Sequence, residues 1–190
     1  MASREMARRG LGNVRLIQSD GLHQGITDQT FDFVHERLVL VNLPNPESLV
    51  SELVRLVRPG GTVALEDIDN VSWVCHPANQ SWDVLLDAFL TAFQASGGHP
   101  FIGRRLGELL GNGGVQGIQI QAHATTAPPG GYRRGHLLAL IGALREKIIG
   151  LRLLTESELE THLESLRQHL NDPRTVVIDK LLIQAWGKKP

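Results

Sequence analysis

Residues Phe31 to Asp69, FDFVHERLVLVNLPNPESLVSELVRLVRPGGTVALEDID, read as strand, loop, capped helix, Gly-rich turn and strand in unbroken succession. Phe31, Phe33 and Val34 open an apolar run short enough for a buried strand, and it ends at His35, Glu36 and Arg37. In open α/β sheets ligands bind beyond the carboxyl ends of the strands, so this charged trio stands where chemistry is expected. Asn45 is the predicted helix cap, with Pro46 at the first helical position, where a missing N–H costs nothing. Leu49, Val50, Leu53, Val54 and Val57 recur at helical spacing, with Glu47, Ser51, Glu52 and Arg55 on the other face. Pro59-Gly60-Gly61 is predicted to stop the helix, and Thr62 to Leu65 to return as a strand ending in Glu66, Asp67 and Asp69. The unit is half of a doubly wound sheet.

The order FD-x-V, then L-x-N-L and Pro44, then L-x-R-x-x-R-P-G-G resembles the fourth and fifth strands of class I S-adenosylmethionine-dependent methyltransferases of the small-molecule type. Asn13 to Gly21 is similar to that family's third strand, which ends in an acid that hydrogen-bonds the adenine amino group. Carried over on that basis, the cofactor-binding candidates are Asp20, with Gly21 and Leu22 beside it, and Glu36, Arg37 and Asn42 after the fourth strand. Each has a plainer alternative: a turn acid for Asp20, a surface ion pair for Glu36 and Arg37, a turn cap for Asn42. The resemblance implies S-adenosyl-L-methionine as cofactor and a Rossmann-like, doubly wound, mostly parallel sheet. Its last strand, Val176 to Trp186, would be antiparallel between the fifth and sixth.

The family's opening strand, its Gly-rich loop D/E-x-G-x-G-x-G and the second strand's ribose-binding acid have no match. Met1 to Arg9 reads as the tail of the helix before the third strand, so the fold is expected to be truncated at the N-terminus by a strand–helix–strand unit of roughly 30 residues or more. Gly10-Leu11-Gly12 and Gly111-Asn112-Gly113-Gly114 do not replace it, because each follows a helix and precedes a strand. The third strand would then present an apolar edge that pairs with the fourth strand, pairs with a second copy in a homodimer, or is held loosely.

At 190 residues, 42% hydrophobic and 21% charged, the chain suits one soluble domain over 1–190, with acceptor-covering insertions at about 70–111 and 128–154. A net charge of -1 gives no field for nucleic acid or an anionic membrane, and the arginine pairs 8–9, 104–105 and 133–134 read as solvated surface or phosphate-tolerant spots. The single cysteine, Cys75, suits a reducing cytoplasm, and no sustained apolar span marks a membrane segment.

Downstream, Trp82 to Phe93 makes a helical stripe, Ile118 to Ala122 alternates like a strand near a sheet edge, and helices are predicted at about 135–151 and 157–170. Thr155 and Glu158 form a capping box for the last of these. Trp73, Trp82 and Phe101 are the expected lining for a small organic acceptor, and His35 and His76 the histidines considered as proton acceptors. No catalytic residue is singled out, because methyl transfer from a sulfonium rests mainly on alignment, and no cluster has metal-ligand spacing. The competing reading is a non-catalytic remnant acting as a binding or dimerisation module. A nicotinamide-dependent dehydrogenase lacks its phosphate fingerprint here.

Overall fold

The computed structural model describes residues 2–23 and 25–190; Met1, part of the expected first helix, lies outside the described residues. Helix α1, Ala2–Arg8, is followed by strand β1, Phe31–Arg37, helix α2, Pro46–Leu56, and strand β2, Val57–Asp69. Then come β3, Val74–His76, α3, Gln80–Gln94, α4, Leu106–Asn112, β4, Gln116–His123, β5, Thr126–Ala127, α5, His136–Gly150, and α6, Glu156–Asn171. Strands β6, Val176–Ile178, and β7, Leu181–Lys188, close the chain. The main sheet has the order β1-β2-β7-β4, with β1 and β2 parallel and β7 antiparallel to both its neighbours. β1, β2 and β4 therefore run one way and β7 the other, as expected for the α/β class.

Helix α2 begins with Pro46, but Asn45 makes no side-chain cap bond. Leu49, Val50, Leu53 and Leu56 bury one face against the sheet, each such side chain contributing roughly 1.5–3 kcal/mol. The helix ends earlier than its periodicity predicts. Val57 is already extended and pairs with Phe31, so Pro59-Gly60-Gly61 falls inside β2, where the register jumps before Phe33 meets Thr62. Gly61 is required there, because a Cβ would lie 2.9 Å from the carbonyl oxygen of Asp32.

Two apolar clusters result. One lies between the main sheet and α2 and α4 and includes Leu40, Val63, Leu65, Leu106, Leu110 and Ala185. The other joins α3, α5 and α6 to a small sheet of order β3-β6-β5, with Trp73, Trp82, Leu85, Ile141 and Leu166 buried in it. Phe93 packs against both.

Three expectations change. Val14 to Gln18 forms no strand and Val14, Leu16 and Ile17 are exposed; among the described residues β1 pairs with β2 alone, so the expected strand is absent and does not pair with the fourth. The loop predicted for 70–79 contains β3. The long strand predicted over Val176 to Trp186 is two strands in different sheets, broken at Asp179-Lys180. Among the described residues no helix is long and apolar enough to cross a membrane.

Candidate functional site

The carboxyl ends of β1 and β2 carry four acidic groups whose surroundings set them apart. Glu36 accepts from the N–H groups of Val39 at 3.2 Å and Glu66 at 3.3 Å, and Asp67 accepts from Val41 at 2.9 Å and Ile68 at 2.7 Å. Both carboxyls clamp the turn that leaves β1. Burial, reinforced by the Asp67 charge, pushes Glu36 up to about 7, and burial pushes Asp67 up to about 6. Burial would also raise Glu66, but hydrogen bonds from Gln184 and Arg37 outweigh it and hold that carboxyl below its ordinary value. Asp69, fully buried, meets Arg104 through two bonds of 2.6 and 2.8 Å. Gly103 permits this contact: a Cβ there would stand 2.9 Å from the carbonyl oxygen of Ile68, so only glycine lets the turn lie against β2.

A pH signature follows from the first pair. Glu36 and Asp67 bind their protons more tightly in the folded chain than their ordinary values of 4.5 and 3.8 allow in the unfolded one. Their contribution to stability is therefore fully present below about pH 4, and it is lost as pH rises through about 6 to 7. Glu36→Gln is expected to flatten this slope, so the melting temperature of the wild type relative to the variant rises on acidification across that window. Parallel melting curves against pH would refute the assignment.

Beyond these strand ends lie two cavities of about 330 Å³ each. One is apolar, walled by Val41, Phe89, Phe93, Leu140, Ala143 and Leu144. The other is polar, with Arg37, His123, Thr125, Tyr132, Arg133 and Asp179. Leu38, Ile68, His136 and Lys180 line both. Leu38 has φ 58°, a left-handed conformation that costs a non-glycine residue about 1–3 kcal/mol and tends to persist at functional sites.

Of the predicted residues, Arg37 lines the polar cavity and Asn42 the apolar one, and Glu36 stands behind the same turn. Asp20, Gly21 and Leu22 line neither. The Asp20 carboxylate is 67% exposed, accepts from the Leu22 N–H at 2.9 Å and lies 3.7 Å from His23, while Leu22 packs on the first cluster. His35 lines a separate groove with Phe33, and His76 of β3 pairs with Val176 of β6, so neither lines the cavities. Trp73 and Trp82 are buried in the second cluster rather than lining it, because their size and apolarity make them core. Arg134, expected on the surface, is buried. The residues missed are His136 and Lys180. Lys180 lay inside a run read as continuous strand, and His136 at the start of a predicted helix; no local signal marks either. Among the described residues no group of histidine, cysteine or acidic side chains is arranged to hold a metal ion.

Comparison with known proteins finds similarity to methyltransferases. Residues 1–65 match the model of a methyltransferase domain. An uncharacterised methyltransferase of Schizosaccharomyces pombe is 35% identical over 79 residues, covering 42% of this chain and 28% of that protein. A demethylmenaquinone methyltransferase of Geobacillus kaustophilus is 36% identical over 67 residues, covering 35% of this chain and 29% of that protein. The matched segments thus span under a third of these relatives' own length. The structure of a candidate methyltransferase from Bacillus halodurans C-125 superposes with a TM-score of 0.61 at 20% identity, covering 100% of this chain and 77% of that one. The first 65 residues are thus similar to a methyltransferase domain, and the fold of the whole chain is similar to that of a structure named as a methyltransferase.

Proposed function

We propose that the chain takes part in S-adenosylmethionine-dependent methyl transfer to a small organic molecule, with the paired cavities as the acceptor site. The observation that carries this is their position: they open beside Arg37, Leu38 and Asn42, directly after β1, at the end of the sheet where α/β folds bind ligands. We read residues 1–190 as one domain in which α3 and α5 roof that site.

For the cofactor, the chemistry of the donor set at Asp20 fits an adenine edge. An exposed carboxylate can accept from the exocyclic amino group, on a turn that Leu22 anchors to the core. Arg37, Leu38 and Asn42 would face the remainder of the molecule from the cavity side. The bound cofactor would supply an already activated methyl group, which leaves this chain to bind, align and dry the acceptor. Phe89, Phe93, Leu140 and Leu144 exclude water from one side of it, and the Glu36 and Asp67 carboxyls fix the turn that positions Leu38.

Titration calorimetry with S-adenosylhomocysteine tests the reading on the chain itself. Saturable binding is expected, weakened about tenfold, or ~1.4 kcal/mol, in Asp20→Ala. Absence of heat up to about 1 mM ligand, an affinity limit near 4 kcal/mol, would overturn it.

A further inference from the structure

Lys180 is a buried ammonium, 8% exposed, and among the described residues it has no ion-pair partner. Its Nζ lies 3.1 Å from Nδ1 of His136 and 3.7 Å from the centre of the Trp73 ring. Burying a charge of this kind costs several kcal/mol, and an imidazole and an aromatic face return only part of that. The neighbouring charges are already matched. Asp179, next in sequence, stands 3.7 Å from Arg133, and Arg37 is paired with Glu66. Lys180 is thus the one unbalanced positive charge among the described groups of the polar cavity's wall, and it lines the apolar cavity as well.

The hydrogen bond fixes the roles of the pair. The ammonium donates to Nδ1, so His136 is neutral and carries its proton on Nε2. Burial, then the Lys180 charge, lowers the His136 pKa, in agreement with that assignment. One N–H of Lys180 is taken by His136 and the Trp73 face lies against the group, which leaves a donor for a ligand in either cavity.

We infer that the paired cavities bind an amphiphilic monoanion, its apolar body among Phe89, Phe93, Leu140 and Leu144 and its single anionic oxygen group, a carboxylate, on Lys180, with His136 as positioning residue. This rests on reading the cavities as the acceptor site and names the class of molecule they take. The charge balance selects a monoanion over a cation or a neutral molecule, and the apolar wall selects a ligand with a hydrocarbon body.

Calorimetry of the full chain at pH 7 with naphthalene-2-carboxylate, naphthalene-2-carboxamide and 2-naphthylmethylammonium tests this without any variant. The carboxylate is expected to bind at least about tenfold tighter than the amide, ~1.4 kcal/mol, and the ammonium weakest. In Lys180→Met the carboxylate should lose its advantage over the amide, and Lys180→Arg should keep a preference for the carboxylate. Burial holds Lys180 near 8, with Asp179 opposing and Arg133 adding to that shift, so the preference should fade as pH rises through that value in the wild type and show no such step in Lys180→Met. Equal binding of acid and amide, tighter binding of the ammonium, binding of none of the three, or a preference that survives Lys180→Met would each overturn the inference. S-adenosylhomocysteine, titrated separately, keeps the two readings apart. Its binding without a carboxylate preference sinks only the ligand class, and a carboxylate preference without it sinks only the methyl-transfer reading.

Discussion

Trp73→Ala is expected to lower the unfolding free energy by about 3–5 kcal/mol, the range for removing a fully buried aromatic side chain whose site cannot collapse. The indole is 1% exposed and central to the second cluster. It meets Trp82 edge-on at 5.7 Å between ring centres and Phe89 edge-on at 6.0 Å, geometries worth roughly 0.5–1.5 kcal/mol each beyond the buried area. Trp82 and Phe89 belong to α3, His136 opens α5, and Trp73 directly precedes β3, so the void would open where the small sheet, α3 and α5 converge. The substitution also strips the aromatic face from Lys180 and leaves its ammonium with His136 alone. Trp73→Phe is the informative control. The indole Nε1 is buried without a hydrogen-bond partner, a cost that phenylalanine relieves, so the loss should fall below about 1.5 kcal/mol despite the smaller ring. Urea unfolding followed by circular dichroism measures both. A midpoint for Trp73→Ala no lower than that of Val71→Ala, whose side chain is 61% exposed, would show that the cluster does not depend on this residue.

What could be read from the sequence, and what could not, divides along the range of the contacts involved. β1, α2, α6 and its capping box are set by neighbours within a few residues, and the Thr155–Glu158 box is present as spaced. α2 ends before its periodicity does, because Val57 continues the helical apolar pattern yet is extended. Its extended conformation comes from pairing with Phe31, 26 residues earlier in the chain, a contact the local pattern does not contain. Asp179-Lys180 interrupts a run of β-branched and aliphatic residues that locally reads as one strand. The break exists because Val177 must pair with Cys75 and Ala127 in one sheet while Leu181 pairs with Asp69 in another. That residues just after β1 would line a cavity was legible, because strand ends mark ligand positions in this fold class, and Arg37 and Asn42 do line the two cavities. His136 and Lys180 were not, because only the junction of the helix layer with the second sheet brings a helix start and a strand break together.

Arg134 makes the same point with the larger consequence for folding. Paired with Arg133 in sequence it reads as surface, yet it is 5% exposed and donates to three backbone carbonyls: Leu170 through Nε at 2.6 Å, Thr175 through Nη1 at 2.7 Å and Asp172 through Nη2 at 2.5 Å. Leu170 lies in the last turn of α6, whose final carbonyls have no partner within the helix, and the positive guanidinium also meets the negative end of the helix dipole. A planar fork of donors is suited to three acceptors at once, whereas an ammonium is a point charge on a flexible stem. Arg134→Met keeps the apolar stem and leaves the three carbonyls without donors, at about 1–3 kcal/mol for each, so a total loss of about 3–9 kcal/mol is expected. For a domain whose whole stability is typically about 5–15 kcal/mol, that is enough to populate unfolded chain. Arg134→Lys should recover only part of the loss. Thr175 holds the same loop from the other side, its hydroxyl donating to the carbonyl of His169 at 2.8 Å, so the damage should be local first. Hydrogen exchange should rise in the last turn of α6 and at residues 172–176 before it rises in β2 and β7. Unchanged urea midpoints for Arg134→Met, or full recovery by lysine, would mean that water rather than the guanidinium satisfies these carbonyls, and that α6 owes its end to the Leu159, Leu163, Leu166 and Leu170 stripe alone.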